Sequence, residues 1–269
     1  MTEPDAKVQH AGSFCMRCFV AGIMTILLFT VMLTGPGCMM LGLQSGKETD
    51  PLAEKIISRI RRCNAQITTS KGTGELTLIR GLAVEKYKTA WAAQSPNRLR
   101  MTLLMSGHPV ETIASTGQWV TFVSHTGTHK PHSAVSTDPD LSRYMGIPLR
   151  LSELVGLLLG KVPQRPFDRA WTLPERPDTV FASQSFTSQI QEWVTNENEV
   201  ITRYRVLDKK MNPIFGIGFS EFFQRDDFNL PGRITIEKGG QRIMEISLKN
   251  IMPNIPVKES VFRLTGSRK

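Results

Sequence analysis

The sequence has little cysteine, and three of its four cysteines lie within the first 38 residues. Only Cys63 follows them, so the rest of the chain can form neither an internal disulfide nor a zinc site built on cysteine. The sequence also lacks a G-x-S-x-G nucleophile elbow. It has no glycine-rich phosphate loop either, because Gly216 and Gly218 are followed by a strand-like pattern. We therefore expect a protein that is not an enzyme and uses no cofactor.

Three histidines, His125, His129 and His132, are the one group that suggests metal chemistry. On an extended strand the first two point to one side and His132 points to the other, while Pro131 interrupts the ladder. We interpret them as a loop of surface histidines and predict no metal site. The glutamates around the next candidate hairpin are interpreted as solvent-facing: Glu192, Glu197 and Glu199.

An uncharged run, residues 18–46, follows Arg17 near the N-terminus. Its apolar core, residues 18–33, has the length of a signal peptide, so residues 1–37 are predicted to be an export signal, with Met16 as an alternative start. The run is also long enough for a single transmembrane anchor, although Gly35, Pro36 and Gly37 would break that helix. An uncleaved anchor and an ordinary signal peptide remain alternatives.

The sequence around Cys38 resembles the lipobox of bacterial lipoproteins, with small residues just before the cysteine. It departs from that pattern because Gly35, and not leucine, lies three places before Cys38. The resemblance implies an acylated Cys38 that anchors the chain to a membrane, followed by a tether over residues 38–50. Met39 stands where some lipoproteins carry a retention aspartate for the inner membrane, so the implied location is the periplasmic face of the outer membrane.

The formal net charge of +9 lies entirely after the leader, because residues 1–37 contain two acidic and two basic residues. In an exported protein, anionic lipid headgroups or lipopolysaccharide are better counter-charges than nucleic acid, and a solvated basic surface is the simplest alternative.

About 230 residues follow Cys38, enough for one domain with a real core. Asp50 and Pro51 predict a helix start, and from residue 64 onward short period-two segments predict an antiparallel meander. The predicted strands are 64–70, 73–80, 82–92, 97–105, 109–115, 118–124, 179–184, 187–195, 199–207, 213–222, 232–238 and 242–249, with a turn at Lys71 and Gly72 between the first two. Between the two runs, the pattern predicts a helix over 138–144 capped by Asp138, a helix over 148–160 and an irregular stretch over 163–178.

This order of elements resembles the LolA/LolB superfamily of envelope lipoproteins and lipoprotein-localisation factors. The resemblance rests on residues 91–103, 109–123, 147–160, 231–236, 246–250 and 261–264. It implies a mainly antiparallel β (α+β) domain over residues 51–269, with an open, curved half-barrel of about eleven strands packed on short helices. It also implies a cavity between sheet and helices that binds acyl chains or lipoproteins, received from a periplasmic carrier protein.

A curved sheet lined by apolar side chains, with an apolar helix over it, can enclose an acyl chain. The candidate lining residues are Tyr87, Trp91, Leu99, Met101, Leu103, Ile113, Val120 and Phe122 from the sheet, and Leu151, Leu154 and Leu158 from the helix. The same side chains could instead fill a solid core. An open cavity would favour an acyl-chain or lipoprotein acceptor, whereas a filled one would favour an assembly lipoprotein that recruits an envelope protein. In either case Met105, in a hairpin after Leu104, is expected to face inward.

Overall fold

The computed structural model describes residues 50–264, and the predicted export signal and Cys38 lie outside the described residues. The first element is helix α1, Pro51–Gln66, whose buried stripe consists of Ala53, Ile57 and Ile60. Asp50 caps it, because its carboxylate accepts the Leu52 amide at 2.9 Å. The helix therefore begins where the Asp-Pro pair predicted, but it extends through residues 64–66, which were assigned to a strand.

Thirteen strands form one curved antiparallel sheet that is not closed into a barrel, which confirms the fold implied by the resemblance, although about eleven strands were expected. Its first six strands are β1 Thr69–Arg80, β2 Ala83–Gln94, β3 Arg98–Met105, β4 His108–Thr116, β5 Trp119–Ser124 and β6 His132–Val135. The later strands in this sheet are β7 Arg169–Leu173, β8 Arg176–Ser183, β9 Ile190–Thr195, β10 Ile201–Leu207, β11 Pro213–Ser220, β14 Arg233–Lys238 and β15 Gln241–Pro253. The spatial order is β6-β5-β4-β3-β2-β1-β15-β14-β11-β10-β9-β8-β7. A separate hairpin pairs β12, Phe223–Arg225, with β13, Phe228–Leu230.

Strand β1 is continuous, although Lys71 and Gly72 were predicted to form a turn. Gly72 pairs with Trp91 of β2, and a Cβ at Gly72 would lie 2.2 Å from the Trp91 ring. The glycine is therefore required for close packing under an aromatic ring and does not mark a turn. The predicted irregular stretch over 163–178 is also partly wrong, because β7 and the start of β8 lie within it.

The chain leaves the sheet at edge strand β6 and returns at the opposite edge strand, β7. Residues 136–168, which we call the crossing segment, connect these two edges. They contain helix α2, Ser142–Met145, and helix α3, Leu151–Leu158, both shorter than predicted. Asp138 does not cap α2 as expected; its carboxylate accepts the Ser152 amide of α3 at 2.8 Å.

The two faces of the sheet differ in polarity, because period-two segments place alternate residues on opposite faces. In β3, Leu99, Met101 and Leu103 are buried, whereas Arg98 and Arg100 lie on the other face and remain partly exposed. A short 3-10 turn, Glu259–Phe262, packs near β3 and β4 and buries Phe262. Within residues 50–264, none of the helices has the length and apolar character needed to cross a membrane.

Candidate functional site

The structure brings the predicted lining residues together on the inner face of the sheet. From β2 to β5, Trp91, Leu99, Met101, Leu103, Ile113, Val120 and Phe122 are each at most 5% exposed, and all belong to one apolar cluster. Leu151, Leu154 and Leu158 of α3 belong to the same cluster. Tyr87 lies half-buried at the margin, where its hydroxyl donates to Glu85 at 3.2 Å and burial raises the pKa of the phenol.

This interior is closed in the structure. The three leucines of α3 are at most 1% exposed, as are Leu99, Met101 and Val120 of the same apolar cluster, so no water-sized space adjoins these side chains. A ligand could lie between α3 and the sheet only if α3 moved away from these side chains. The attachments of the crossing segment therefore decide what this site can do.

One end of α3 is fixed by Asp138 and the other by Ser70 of β1. The Asp138 carboxylate also accepts the Ser152 hydroxyl at 3.0 Å. At the C-terminal end, the Ser70 hydroxyl donates to the Leu158 carbonyl at 2.8 Å. It also accepts the Trp91 indole N–H at 3.1 Å, so a buried polar chain joins α3 to the ring at the centre of the inner face.

A second attachment joins α3 to the chain beyond it through Glu153 and Arg165. The Arg165 Nε and Nη2 atoms lie 2.7 and 3.1 Å from the two Glu153 oxygens, a bidentate pair whose side chains are 29% and 10% exposed. Burial opposes the charge of Arg165, but the Glu153 carboxylate outweighs it and raises the arginine pKa. The guanidinium also lies over the Phe215 ring, 4.9 Å from its centroid.

Buried polar groups hold the segment against β9 and β10. The Gln191 side chain accepts the Arg165 amide at 2.8 Å and the Tyr204 hydroxyl at 3.2 Å. Burial raises the pKa of Tyr204, so this hydroxyl remains a donor at physiological pH. The Trp193 indole donates to the Pro163 carbonyl at 3.0 Å. These positions were not predicted, although a glutamate at the third residue of α3 is a capping signal visible in the sequence.

Two predictions about individual side chains are wrong. Glu192 does not face solvent; it is 1% exposed and lies between Arg176 and Arg205 of the neighbouring strands. Met105 is not inward-facing but lies at the β3–β4 hairpin with 48% of its surface exposed.

The histidines lie at the surface near β4 to β6. His129 contacts the Glu111 carboxylate at 3.1 Å, and its pKa is raised by its hydrogen bond with the Lys130 carbonyl and by that carboxylate. His125 bonds to the Thr112 hydroxyl at 2.9 Å. Across residues 50–264, His, Cys, Asp and Glu side chains form no group of three that could hold a metal ion.

A polar groove of about 1590 Å³ lies on the outer face of the sheet, between β2–β6 and the C-terminal turn. Asn97, Arg98, Gln118 and Glu259 line it, together with the half-exposed Trp119. Its polar lining makes it unsuited to an acyl chain.

The fold is that of LolA superfamily proteins. The LolA superfamily protein NE2245 from Nitrosomonas europaea superposes with a TM-score of 0.51 at 12% identity, covering 79% of this chain and 97% of that one. A DUF1329 family protein from Desulfovibrio piger superposes with a TM-score of 0.52 at 10% identity, covering 82% of this chain and all of the other. No family model matches the sequence, and no curated protein matches it. At these identities the likeness establishes the fold.

Proposed function

We propose that this chain is a non-enzymatic envelope protein that holds an acyl chain between the inner face of its sheet and the crossing segment. The observation that supports this most is the path of that segment. It spans the sheet from β6 to β7, and α3 packs its leucines on the face where the candidate lining residues converge. Such a segment can move away while the thirteen-stranded sheet keeps its hydrogen bonds.

The exchange of α3 for an acyl chain is close to balanced in free energy. Helix α3 buries five apolar side chains, Leu151, Leu154, Val155, Leu157 and Leu158. At roughly 1.5–3 kcal/mol each, their burial contributes on the order of 10 kcal/mol. A long acyl chain with about 14 buried methylenes contributes about 11 kcal/mol at about 0.8 kcal/mol each. The polar attachments of α3 would then determine how readily the site opens.

A brominated long-chain fatty acid tests this proposal, because bromine quenches nearby tryptophans. Trp91 lies on the inner face, whereas Trp119 is half-exposed beside the outer groove. We expect saturable quenching in the full chain that decreases in Trp91→Phe and is unchanged in the matched control Trp119→Phe. Equal quenching in both variants would place the acyl chain elsewhere and contradict the proposal.

The membrane anchor is a separate part of the proposal. We propose that the chain is a lipoprotein acylated at Cys38 and that it faces the periplasm from the outer membrane. There it would receive acyl chains or lipoproteins from a periplasmic carrier. Intact-mass spectrometry of the membrane fraction should give residues 38–269 plus acyl groups, and Cys38→Ala should lack them. An unmodified chain that keeps residues 19–37 would contradict the lipoprotein and favour a single transmembrane anchor.

The closed interior supports a second function, an assembly lipoprotein that recruits an envelope protein. In that case α3 is a permanent part of the core, as the burial of Leu151, Leu154 and Leu158 would allow. The fatty-acid experiment separates the two, because a permanently filled interior gives no quenching of Trp91 even when the Glu153–Arg165 pair is removed.

A further inference from the structure

Lys161 is a half-buried lysine just after the turn that ends α3. Its ammonium Nζ lies 3.5 Å from the hydroxyl oxygen of Ser95, which begins the β2–β3 turn. Within residues 50–264, no carboxylate forms an ion pair with this ammonium, and burial lowers the pKa of Lys161 with no opposite charge to offset it. A partly desolvated charge without a partner is unfavourable, so its presence here needs an explanation.

Capping of α3 does not explain the position of Lys161. A lysine that follows a helix can interact with the last carbonyl groups of that helix. In α3 these carbonyls already have donors. The backbone amides of residues 159–161 donate to the carbonyls of residues 155–157, and the Ser70 hydroxyl donates to the Leu158 carbonyl at 2.8 Å. The Lys161 ammonium is therefore not needed to end the helix.

The chain immediately beyond Lys161 is held in place by polar contacts with other elements. The Asn64 side chain of α1 donates to the Val162 carbonyl at 2.8 Å and accepts the Val162 amide at 3.0 Å. The next carbonyl, that of Pro163, accepts the Trp193 indole of β9 at 3.0 Å. None of these contacts involves α3. They would keep Lys161 in position if α3 moved away from the sheet.

The contact with Ser95 places Lys161 at one end of the apolar inner face. Trp91 and Ala93 of β2 are buried in the apolar cluster, and Ser95 follows two residues after Ala93. Ala93 is paired across the sheet with Ser70, whose hydroxyl contacts the Trp91 indole. The apolar row on β2 therefore ends beside a hydroxyl and an ammonium, and an acyl chain lying on Trp91 would have a positive charge at this end.

We propose that Lys161 binds the anionic head group of an acyl-chain ligand, with the Ser95 hydroxyl as a second donor to the same group. This inference rests on the proposed function and narrows its ligand to an amphiphile with a negatively charged head. A fatty-acid carboxylate and the phosphate of a lysophospholipid share this chemistry. Either would give Lys161 the charged partner that it lacks, through a charge-assisted hydrogen bond.

A brominated fatty acid and its methyl ester test this role, because the ester keeps the chain and loses the charge. The affinity of each is measured from the part of the quenching that Trp91→Phe removes. We expect the preference for the acid over the ester to fall about tenfold in Lys161→Met and to be retained in Lys161→Arg. The matched control is Lys209→Met in the exposed β10–β11 turn, which removes the same charge and should leave the preference unchanged.

The outcomes separate this inference from the proposed function. If both ligands quench Trp91 and the preference is the same in the full chain and in Lys161→Met, the role of Lys161 is wrong and the proposed function stands. An equal loss in Lys209→Met would also overturn it, because the attraction would then be long-range. If neither ligand quenches Trp91, the proposed function is contradicted and the role of Lys161 falls with it.

Urea unfolding distinguishes a binding role from a structural one. Because the Lys161 ammonium is half-buried and unpaired in the described chain, Lys161→Met should leave the free energy of unfolding unchanged or raise it. A marked loss of stability would assign the lysine to the fold and contradict the proposal.

A brominated lysophosphatidate, measured in the same variants, identifies the anion. A larger loss of affinity in Lys161→Met for the lysophosphatidate than for the fatty acid would support a phosphate head group. A larger loss for the fatty acid would support a carboxylate.

Discussion

The pair between Glu153 and Arg165 should set how often α3 opens, because it ties α3 to Arg165, whose backbone amide is held by Gln191 of β9. Glu153→Gln keeps the size of the side chain but removes its charge, leaving Arg165 with a neutral acceptor in a site where the two side chains are 10% and 29% exposed. Breaking a fully buried ion pair costs about 3–5 kcal/mol, whereas an exposed pair is worth at most about 1 kcal/mol. Because Arg165 is partly solvated, we expect a cost of about 2 kcal/mol.

If that cost falls on the closed state alone, the equilibrium between closed and open forms shifts roughly 30-fold toward the open form. Stopped-flow fluorescence with the brominated fatty acid should then show association up to about 30-fold faster, with urea unfolding reporting the loss of stability. Arg165→Gln alone should have a similar effect, and the double variant should cost less than the sum of the two single variants.

Glu192→Gln provides the matched control. Glu192 is paired with two arginines and is more deeply buried, but all three residues lie in neighbouring strands of the sheet and not in the crossing segment. Glu192→Gln should reduce stability at least as much as Glu153→Gln does and leave the association rate of the fatty acid unchanged. If Glu192→Gln accelerates binding as much as Glu153→Gln does, the acyl chain enters through general loosening of the fold, and the crossing segment does not control access.

Three further predictions concern the scaffold. Hydrogen bonds from Thr172 and the Leu52 amide lower the pKa of Asp50, so the stability this carboxylate contributes is present above about pH 4 and is lost as the pH falls through its lower folded pKa. Asp50→Asn should therefore cost more stability at pH 7 than at pH 3 in urea unfolding. Gly72→Ala should destabilise by about 1–3 kcal/mol, because its Cβ would lie 2.2 Å from the Trp91 ring, and a neutral result would contradict that packing. Gly156→Ala should instead stabilise by about 0.5–1 kcal/mol, because its Cβ would meet nothing closer than 3.8 Å in a helix.

The sheet and its two faces could be predicted because both depend on local alternation. In β3, a period of two places Leu99, Met101 and Leu103 on one face whatever the rest of the chain does, and the structure buries all three. The start of α1 could also be predicted from adjacent residues, since an aspartate before a proline is typical of a helix N-terminus. The turn expected at Gly72 was wrong because the glycine is required by Trp91, which lies nineteen positions away in sequence and is opposite it only after β1 and β2 pair.

Most of the buried polar contacts could not be predicted, because they join residues whose proximity is set by the register of the sheet or by the path of the crossing segment. Glu192 looked solvent-facing beside Glu197 in the sequence, yet pairing of β9 with β10 places Arg205 directly opposite it, and Arg176 of β8 also reaches it. Ser70 and Leu158 meet only because the chain passes from one edge of the sheet to the other between β6 and β7. The apolar pattern of α3 predicts that the helix is buried. A helix that is a permanent part of the core and a helix that can open would both have this pattern. What distinguishes the two is the strength of a few long-range polar contacts, which is why the Glu153–Arg165 pair tests the function more directly than any of the leucines does.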